Sequence, residues 1–399
     1  MDKKNIRLAK IGVILPNLPN YSETFFQNQI LGLEKLGYLV SLYVNTRSNS
    51  NANLLLPESI SVYTQPNVEN KINLFFNLLY LLFICPLRFY RFIKLELNSG
   101  RLFKAIIKNI LINSHILDKN LDWLHFGFAT MGIHRENIAQ AIGARSAVSF
   151  RGFDIGLYPH QHPNCYNLLW RKIDKVHTIS DDLYQKAVDL GLDSKIPYKK
   201  ITPAINIEFF KSNTDKDLHD PLRILTVGRL TWKKGCEYAL KALVLLKNAQ
   251  INFEYHIVGE GNYREAIMYS IYQLGLTKNV MLTGRIPPFE VKNEMEWADF
   301  YIQPSIQEGF CNAVLEAQAM KCLCIVTDAE GLSENVIDGT TGWVVPRRSA
   351  NSIANSLLKI IDMSPDSLKI IRDSAAIRVK EKFNLAQQNE LFRNFYTQK

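Results

Sequence analysis

The sequence is short of the features that would place it in several common classes. Its six cysteines (Cys85, Cys165, Cys236, Cys311, Cys322, Cys324) form no pair of CxxC elements, and Cys322-Leu-Cys324 has the wrong spacing for a zinc finger. A chain with free thiols in a reducing, cytosolic compartment is the simplest reading. No strand-like run is followed by GxGxxG, which argues against a dinucleotide-dependent oxidoreductase. Neither a repeat of 20 to 50 residues nor a low-complexity tract occurs, so solenoids and propellers drop out. Long apolar runs are missing too. The stretch from Ile11 to Leu15, ended by Pro16, is too short for a signal-peptide core. Leu74 to Leu87, interrupted only by Asn77 and Pro86, falls short of the about 20 residues that span a bilayer. With 399 residues, 47% hydrophobic and 21% charged, the chain is neither disordered nor polytopic, and it is long enough for two packed domains.

Acidic residues are scarce in the first half. Residues 1–200 hold 24 Lys and Arg against 15 Asp and Glu, a net of +9, while residues 201–399 hold 23 of each. The basic excess therefore lies entirely in the first half, which calls for a polyanionic partner: nucleic acid, anionic lipid or an acidic glycan. Between Lys71 and Lys108 seven cations (Lys71, Arg88, Arg91, Lys94, Arg101, Lys104, Lys108) face the single acid Glu96. An apolar wedge followed by Arg88, Arg91 and Lys94 suits insertion into one leaflet of an anionic membrane, rather than nucleic acid. The competing reading is a buried helix with a solvated basic end.

Short β-branched runs alternate with helical patterns throughout. KIGVILP reads as a strand, SETFFQNQILGLEKLG as a helix capped by Ser22 and ended by Gly37, and YLVSLYV as the next strand, a βαβ unit. LDWLHFG, ARSAVSFRG and DKVHTIS continue the series. The polar stretch from Lys211 to Pro221 reads as a linker. After it RILTVGRL, FEYHIVGEG, VMLTGRI, DFYIQPS, LCIVTDAEG and TGWVVP repeat the alternation. The expected fold class is α/β, with two doubly wound parallel-sheet domains (1–210 and 222–380) facing a cleft and a last helix over 381–399. Ligands are expected beyond the carboxyl ends of the strands.

Two constellations in the second half fall where strands give way to helices. In VGRLTWKKGCEYAL, Gly228 permits a tight turn, and Arg229 and Lys234 are placed where two cations can converge on a diphosphate; the plain alternative is a pair of surface cations. In IQPSIQEGFCNAVLEAQAMK, a helix is expected from about Asn312, so the backbone N–H groups of Gly309 to Asn312 make an anion site reinforced by the helix dipole. Glu308 can accept from sugar hydroxyls, and Glu316 from a vicinal hydroxyl pair such as that of ribose. The alternatives are a capping acid and a solvated helix residue.

The Glu308/Glu316 pair inside PSxxEGFxNxxLEAxA, preceded by VGRLxxxKG and VGEG and followed by GLSENVIDGTTGWVV, resembles the donor domain of the retaining family 4 glycosyltransferases with the GT-B fold. PNLPNYSETFFQNQILGLEKLGY, LHFG and SFRGFDIG are similar, less specifically, to the branch that builds bacterial exopolysaccharides, capsules and lipopolysaccharide. The resemblance implies that Arg229 and Lys234 hold the nucleotide diphosphate, that Glu308 contacts the transferred sugar and Glu316 the ribose. Gly309, Phe310, Cys311 and Asn312 would lie by phosphates and sugar, and Glu334 in SEN near the nucleotide. No DxD metal motif stands where a strand gives way to a helix (Asp215-Lys216-Asp217 lies in the polar stretch read as a linker), in keeping with diphosphate binding by cations and a helix N-terminus and with no cofactor or metal.

Some positions depart from the family pattern. Cys311 stands where Pro or Gly is usual, Glu330-Gly331 for Gly-Gly, and Arg151 where many relatives have His before Gly-x-Asp. An arginine cannot serve as a general base, so Arg151 would act electrostatically on donor or acceptor. The first domain offers Ser22, Glu23, Thr24, His125, Arg151, Asp154 and Ser180 as cleft lining. His125 is a candidate catalytic contact to a donor or acceptor hydroxyl, against a purely structural role; Ser180 reads first as a helix cap. His160 and His162 lack a third metal ligand.

The expected function is a retaining glycosyltransferase, of hexosyl type, that moves a sugar from a nucleotide-diphosphate donor to a growing, lipid-linked bacterial surface polysaccharide. It would dock through segment 72–110 on the inner face of the cytoplasmic membrane. The rivals are a nucleotide-sugar-binding partner subunit without turnover and a nucleotide-sugar 2-epimerase.

Overall fold

In the computed structural model the described residues are 9–19, 23–46, 56–57, 59–66, 71–212 and 216–397, without the side chains of 71–75. The chain divides into two units, one formed by Met1–Ile201 with Gln388–Lys399, the other by Thr202–Gln387. Each is built on one parallel sheet.

The first unit contains β1 (Lys10–Leu15), β2 (Leu39–Val44), β3 (Ser61–Thr64), β4 (Trp123–Phe126), β5 (Arg145–Phe150), β6 (Lys175–Thr178) and β7 (Tyr198–Lys200). Their order is β3-β2-β1-β4-β5-β6-β7, so the strand order reverses between β1 and β4. Ile11, Val13, Leu15, Val40, Leu42 and Val44 are buried, as expected of parallel strands covered on both faces. The helix Thr24–Lys35 follows β1 and ends at Gly37, whose φ of 87° supplies the left-handed stop. Ser22, the expected cap, lies outside the described residues.

The last helix, Leu385–Thr397, contributes Phe392, Phe395 and Tyr396 to the first unit's core. Gly32 makes that packing possible: a Cβ there would stand 1.9 Å from the Asn389 side chain. The Lys175 amine donates to the Phe395 carbonyl at 2.7 Å, satisfying an otherwise orphaned acceptor at the helix end.

The second unit contains β8 (Leu222–Val227), β9 (Phe253–Val258), β10 (Val280–Gly284), β11 (Phe300–Gln303), β12 (Leu323–Thr327) and β13 (Trp343–Val345), in the order β10-β9-β8-β11-β12-β13. Its reversal point lies between β8 and β11. Ile224, Tyr255, Ile257, Phe300, Ile302 and Ile325 pack there with Leu240 and Leu243 of the helix Cys236–Asn248. Of the segment 211–221, expected to be a linker, the described residues Lys216 and His219 are fastened to this unit. The Lys216 amine donates to the carbonyls of Met295 and Ala298, and His219 binds Asp299 through Nδ1 at 2.7 Å.

Candidate active site

The second unit assembles its site from loops at the reversal point. Beyond β8 the chain turns at Gly228 and runs through Arg229, Lys233 and Lys234 to Gly235. Gly235 has φ 62°, and a Cβ there would lie 2.2 Å from the Pro304 carbonyl oxygen. Glycine is therefore required for this loop to lie against the chain leaving β11. Ile306 N–H donates to the Lys233 carbonyl at 2.7 Å and locks the two loops together. Gly259 is a second close approach, since a Cβ would meet the Gly228 carbonyl at 1.9 Å.

This backbone scaffold brings Lys234 and Glu308 together. Their side chains pair at 2.5 Å and are only 13% and 14% exposed. Burial opposes the Lys234 charge, but the Glu308 carboxylate outweighs it, and the ammonium is held above the usual lysine range. Arg229 is exposed on the same loop. Lys233, which the sequence reading did not single out, is half-buried; its pKa is pushed down by burial, with the Glu308 carboxylate opposing.

Gly309 and Phe310 are buried, Cys311 is the cap residue, and the helix Asn312–Ala319 begins at Asn312. Burial pushes the Cys311 thiol up to about 11, so it is neutral and packs rather than reacts. Asn335 grips the same residue on both sides, accepting from Cys311 N–H at 3.2 Å and donating to Cys311 O at 2.9 Å. Arg378 in turn donates to the carbonyls of Asn335 and Glu334 at 2.7 and 2.8 Å. Thus Glu334 is held beside the helix N-terminus by its backbone. Asn335 and Arg378 had not been singled out either. Asn335 is the last residue of the SEN motif, whereas nothing local marks Arg378. Glu316 lies half-buried on the helix, and burial alone raises its carboxyl to about 7.

In the first unit the structure corrects His125. It is buried on β4, and both ring nitrogens are occupied. The Ile201 carbonyl can only accept, which fixes every donor in the chain behind it. Tyr396 O–H donates to His125 Nδ1 at 2.5 Å, His125 Nε2–H to Ser149 Oγ at 2.7 Å, Ser149 O–H to His177 Nδ1 at 2.7 Å, and His177 Nε2–H to Ile201 O at 3.0 Å. Burial lowers His125 to about 3 and His177 well below its ordinary value, with Arg151 adding to both. His125 is thus a neutral structural group with no nitrogen left for a sugar hydroxyl.

Arg151 directly follows β5, at the carboxyl end of the sheet. Its guanidinium lies over the rings of Phe25 and Phe26, 4.4 and 4.7 Å from their centres, and donates to Gln29 at 3.1 Å. Burial pushes its pKa down to about 9 against the opposing Asp154 charge. Asp154 is fully buried and accepts from the N–H groups of Ala129, Arg151 and Gly152, so it shapes the turn. Ser180 caps the helix Asp181–Asp189.

Segment 72–110 folds as the helices Lys71–Ile84 and Pro86–Asn98 and the start of Phe103–Leu117. Glu96 is fully buried and accepts from Asn109 and Asn137. The surface of this segment therefore displays Arg91, Lys94, Lys104 and Lys108 with no acid among them. Phe83 (81% exposed), Leu87, Tyr90, Leu97, Leu102 (80%) and Phe103 stand out between these cations. Arg88 is tied to the Lys119 carbonyl at 2.6 Å. No helix among the described residues is long and apolar enough to cross a membrane.

Residues 207–376 match the family of glycosyl transferases group 1. Over that stretch, somewhat less than half of its length, the chain is similar to that family, and its two parallel-sheet, Rossmann-like domains are those of the GT-B fold. It is 28% identical over 272 residues to the amylovoran biosynthesis glycosyltransferase AmsK of Erwinia amylovora, a match covering 65% of this chain and 66% of AmsK. It is 29% identical over 272 residues to the putative colanic acid biosynthesis glycosyltransferase WcaL of Escherichia coli K12, with the same coverage. The chain thus spans just under two thirds of the length of these relatives. The crystal structure of Anabaena Alr3699/HepE in complex with UDP superposes with a TM-score of 0.71 over 96% of this chain and 98% of that one, at 15% identity. That likeness is one of fold.

Proposed function

We propose that this protein transfers a sugar, with retention of configuration, from a nucleoside-diphosphate sugar to a growing, lipid-linked bacterial surface polysaccharide. The observation that carries the reading is the convergence of Lys234, Glu308 and the N-terminus of the helix Asn312–Ala319 at the reversal point of the second sheet. The names of AmsK and WcaL support a polysaccharide product, and UDP in the HepE structure supports a nucleotide ligand.

In this reaction the acceptor oxygen bonds to the anomeric carbon as the bond from that carbon to the phosphate oxygen breaks, and the acceptor proton leaves on the diphosphate. Lys234, Arg229 and the helix N–H groups stabilise charge growing on the leaving phosphate without requiring a metal. Glu308 accepts from hydroxyls of the transferred sugar, and Glu316 from the ribose. Arg151 adds positive charge for an anionic group on donor or acceptor. The chain would work peripherally on the cytoplasmic membrane face, where the apolar and cationic surface of 76–108 meets anionic lipid.

A thermal-shift screen against UDP-, GDP- and ADP-sugars tests the reading. A donor at a hundred times its Kd adds about 2.7 kcal/mol of stability, and slow nucleotide release should accompany the shift. Stabilisation by no donor contradicts the assignment.

A further inference from the structure

The second unit presents a bound-looking ion pair in the place where the proposed donor would sit. Lys234 Nζ and Glu308 Oε2 are 2.5 Å apart with both side chains largely sheltered from water. The loops that carry the two partners are fixed against each other. The Lys234 stem passes over the Gly228 turn, its Cε 3.3 Å from where a Cβ would stand. The loop that carries Glu308 is bonded through Ile306 and Gln307 N–H to the Lys233 carbonyl.

A diphosphate reaching Lys234 must take that ammonium from Glu308, and it then lies beside a carboxylate of like charge. With a sugar still attached, the sugar's hydroxyls become the carboxylate's new hydrogen-bond donors and offset the loss. Once the sugar has left, those donors are gone, and of the offsetting charges the Lys233 ammonium beside Glu308 remains. We propose that Glu308 is a product-release residue: its ion pair with Lys234 reforms after transfer and drives the nucleoside diphosphate out. This inference rests on the donor-site reading above.

The proposal has a signature that a merely structural glutamate lacks, namely two ligands moving in opposite directions on one substitution. Glu308→Gln keeps the shape and removes the charge. It should tighten UDP about tenfold, chiefly through slower dissociation, because the competing carboxylate is gone. The same variant should weaken UDP-glucose, whose hydroxyls lose a charged acceptor. Glu308→Asp, which keeps the charge but shortens the reach, should fall between wild type and Glu308→Gln for UDP.

Titration calorimetry and stopped-flow displacement with UDP and UDP-glucose read these constants, with GDP or ADP and their sugars substituted if those bind instead. UDP affinity unchanged or weakened in Glu308→Gln overturns the release role while leaving the donor site standing. Failure of every nucleotide to bind wild type overturns the donor site itself. Loss of fold in both variants assigns the pair to the framework and overturns the proposal.

Discussion

Glu316 is the residue whose surroundings make the sharpest demand. Its carboxyl titrates at about 7, above the ordinary glutamate value, because the charged form is poorly solvated where it lies. A raised carboxyl gives the folded state stability that is fully present below about pH 4.5 and is lost as the pH rises through about 7. Glu316→Gln removes that loss. The melting temperature of the ligand-free variant should exceed that of wild type by an amount that grows from about pH 5 to about pH 8; parallel curves would contradict the burial argument. Glu308 and Glu316 were readable as a pair from their spacing in the sequence. The pairing of Glu308 with Lys234 was not, because it depends on the contact of Gly235 with Pro304, far apart in the chain. His125 was misread for the same reason: its position on a short strand was legible, but Tyr396 and Ser149, which occupy its nitrogens, come from distant segments.

At the level of elements, the helical segment over 76–103 carries a surface on which exposed apolar and cationic groups are interspersed. One stripe of the helix Pro86–Asn98 holds Leu87, Tyr90, Arg91, Lys94 and Leu97, all exposed, while Phe92 and Glu96 turn inward. These spacings follow the 3.6-residue period, so apolar and cationic groups share one face. The paired substitutions Phe83→Asp and Leu87→Asp, or Arg91→Glu and Lys94→Glu, should sharply reduce sedimentation with phosphatidylglycerol vesicles and leave the melting temperature nearly unchanged. Unaltered sedimentation would sink the membrane reading. The sequence showed the apolar and basic character of this stretch, and Pro86 marked its break. It could not show that Glu96 is withdrawn into a buried amide cage, nor that Arg88 is spent on the Lys119 carbonyl. The edge strands β3 and β7 also escaped notice, since each is short and only half-buried or exposed, with no strong apolar run to announce it.

For the whole molecule, the alternation of strands and helices makes two parallel sheets legible in the sequence alone. The division between them was harder to place. A polar run suggested a linker at 211–221, yet Lys216 and His219 bind Asp299 and its neighbours, and the units separate at Ile201 and Thr202 instead. Function follows the same division: residues 1–200 hold the entire positive excess and the exposed apolar helices, while the second unit holds the proposed donor site. The most direct measurement of that claim is nucleotide release from the best-binding nucleotide sugar, compared between wild type and Lys234→Ala. Loss of one charge-assisted phosphate contact should cut kcat/KM roughly ten- to a hundredfold, while the exposed-face variants in the first unit keep their release rate in solution. Equal release by wild type and Lys234→Ala would contradict the assignment of this site to the diphosphate.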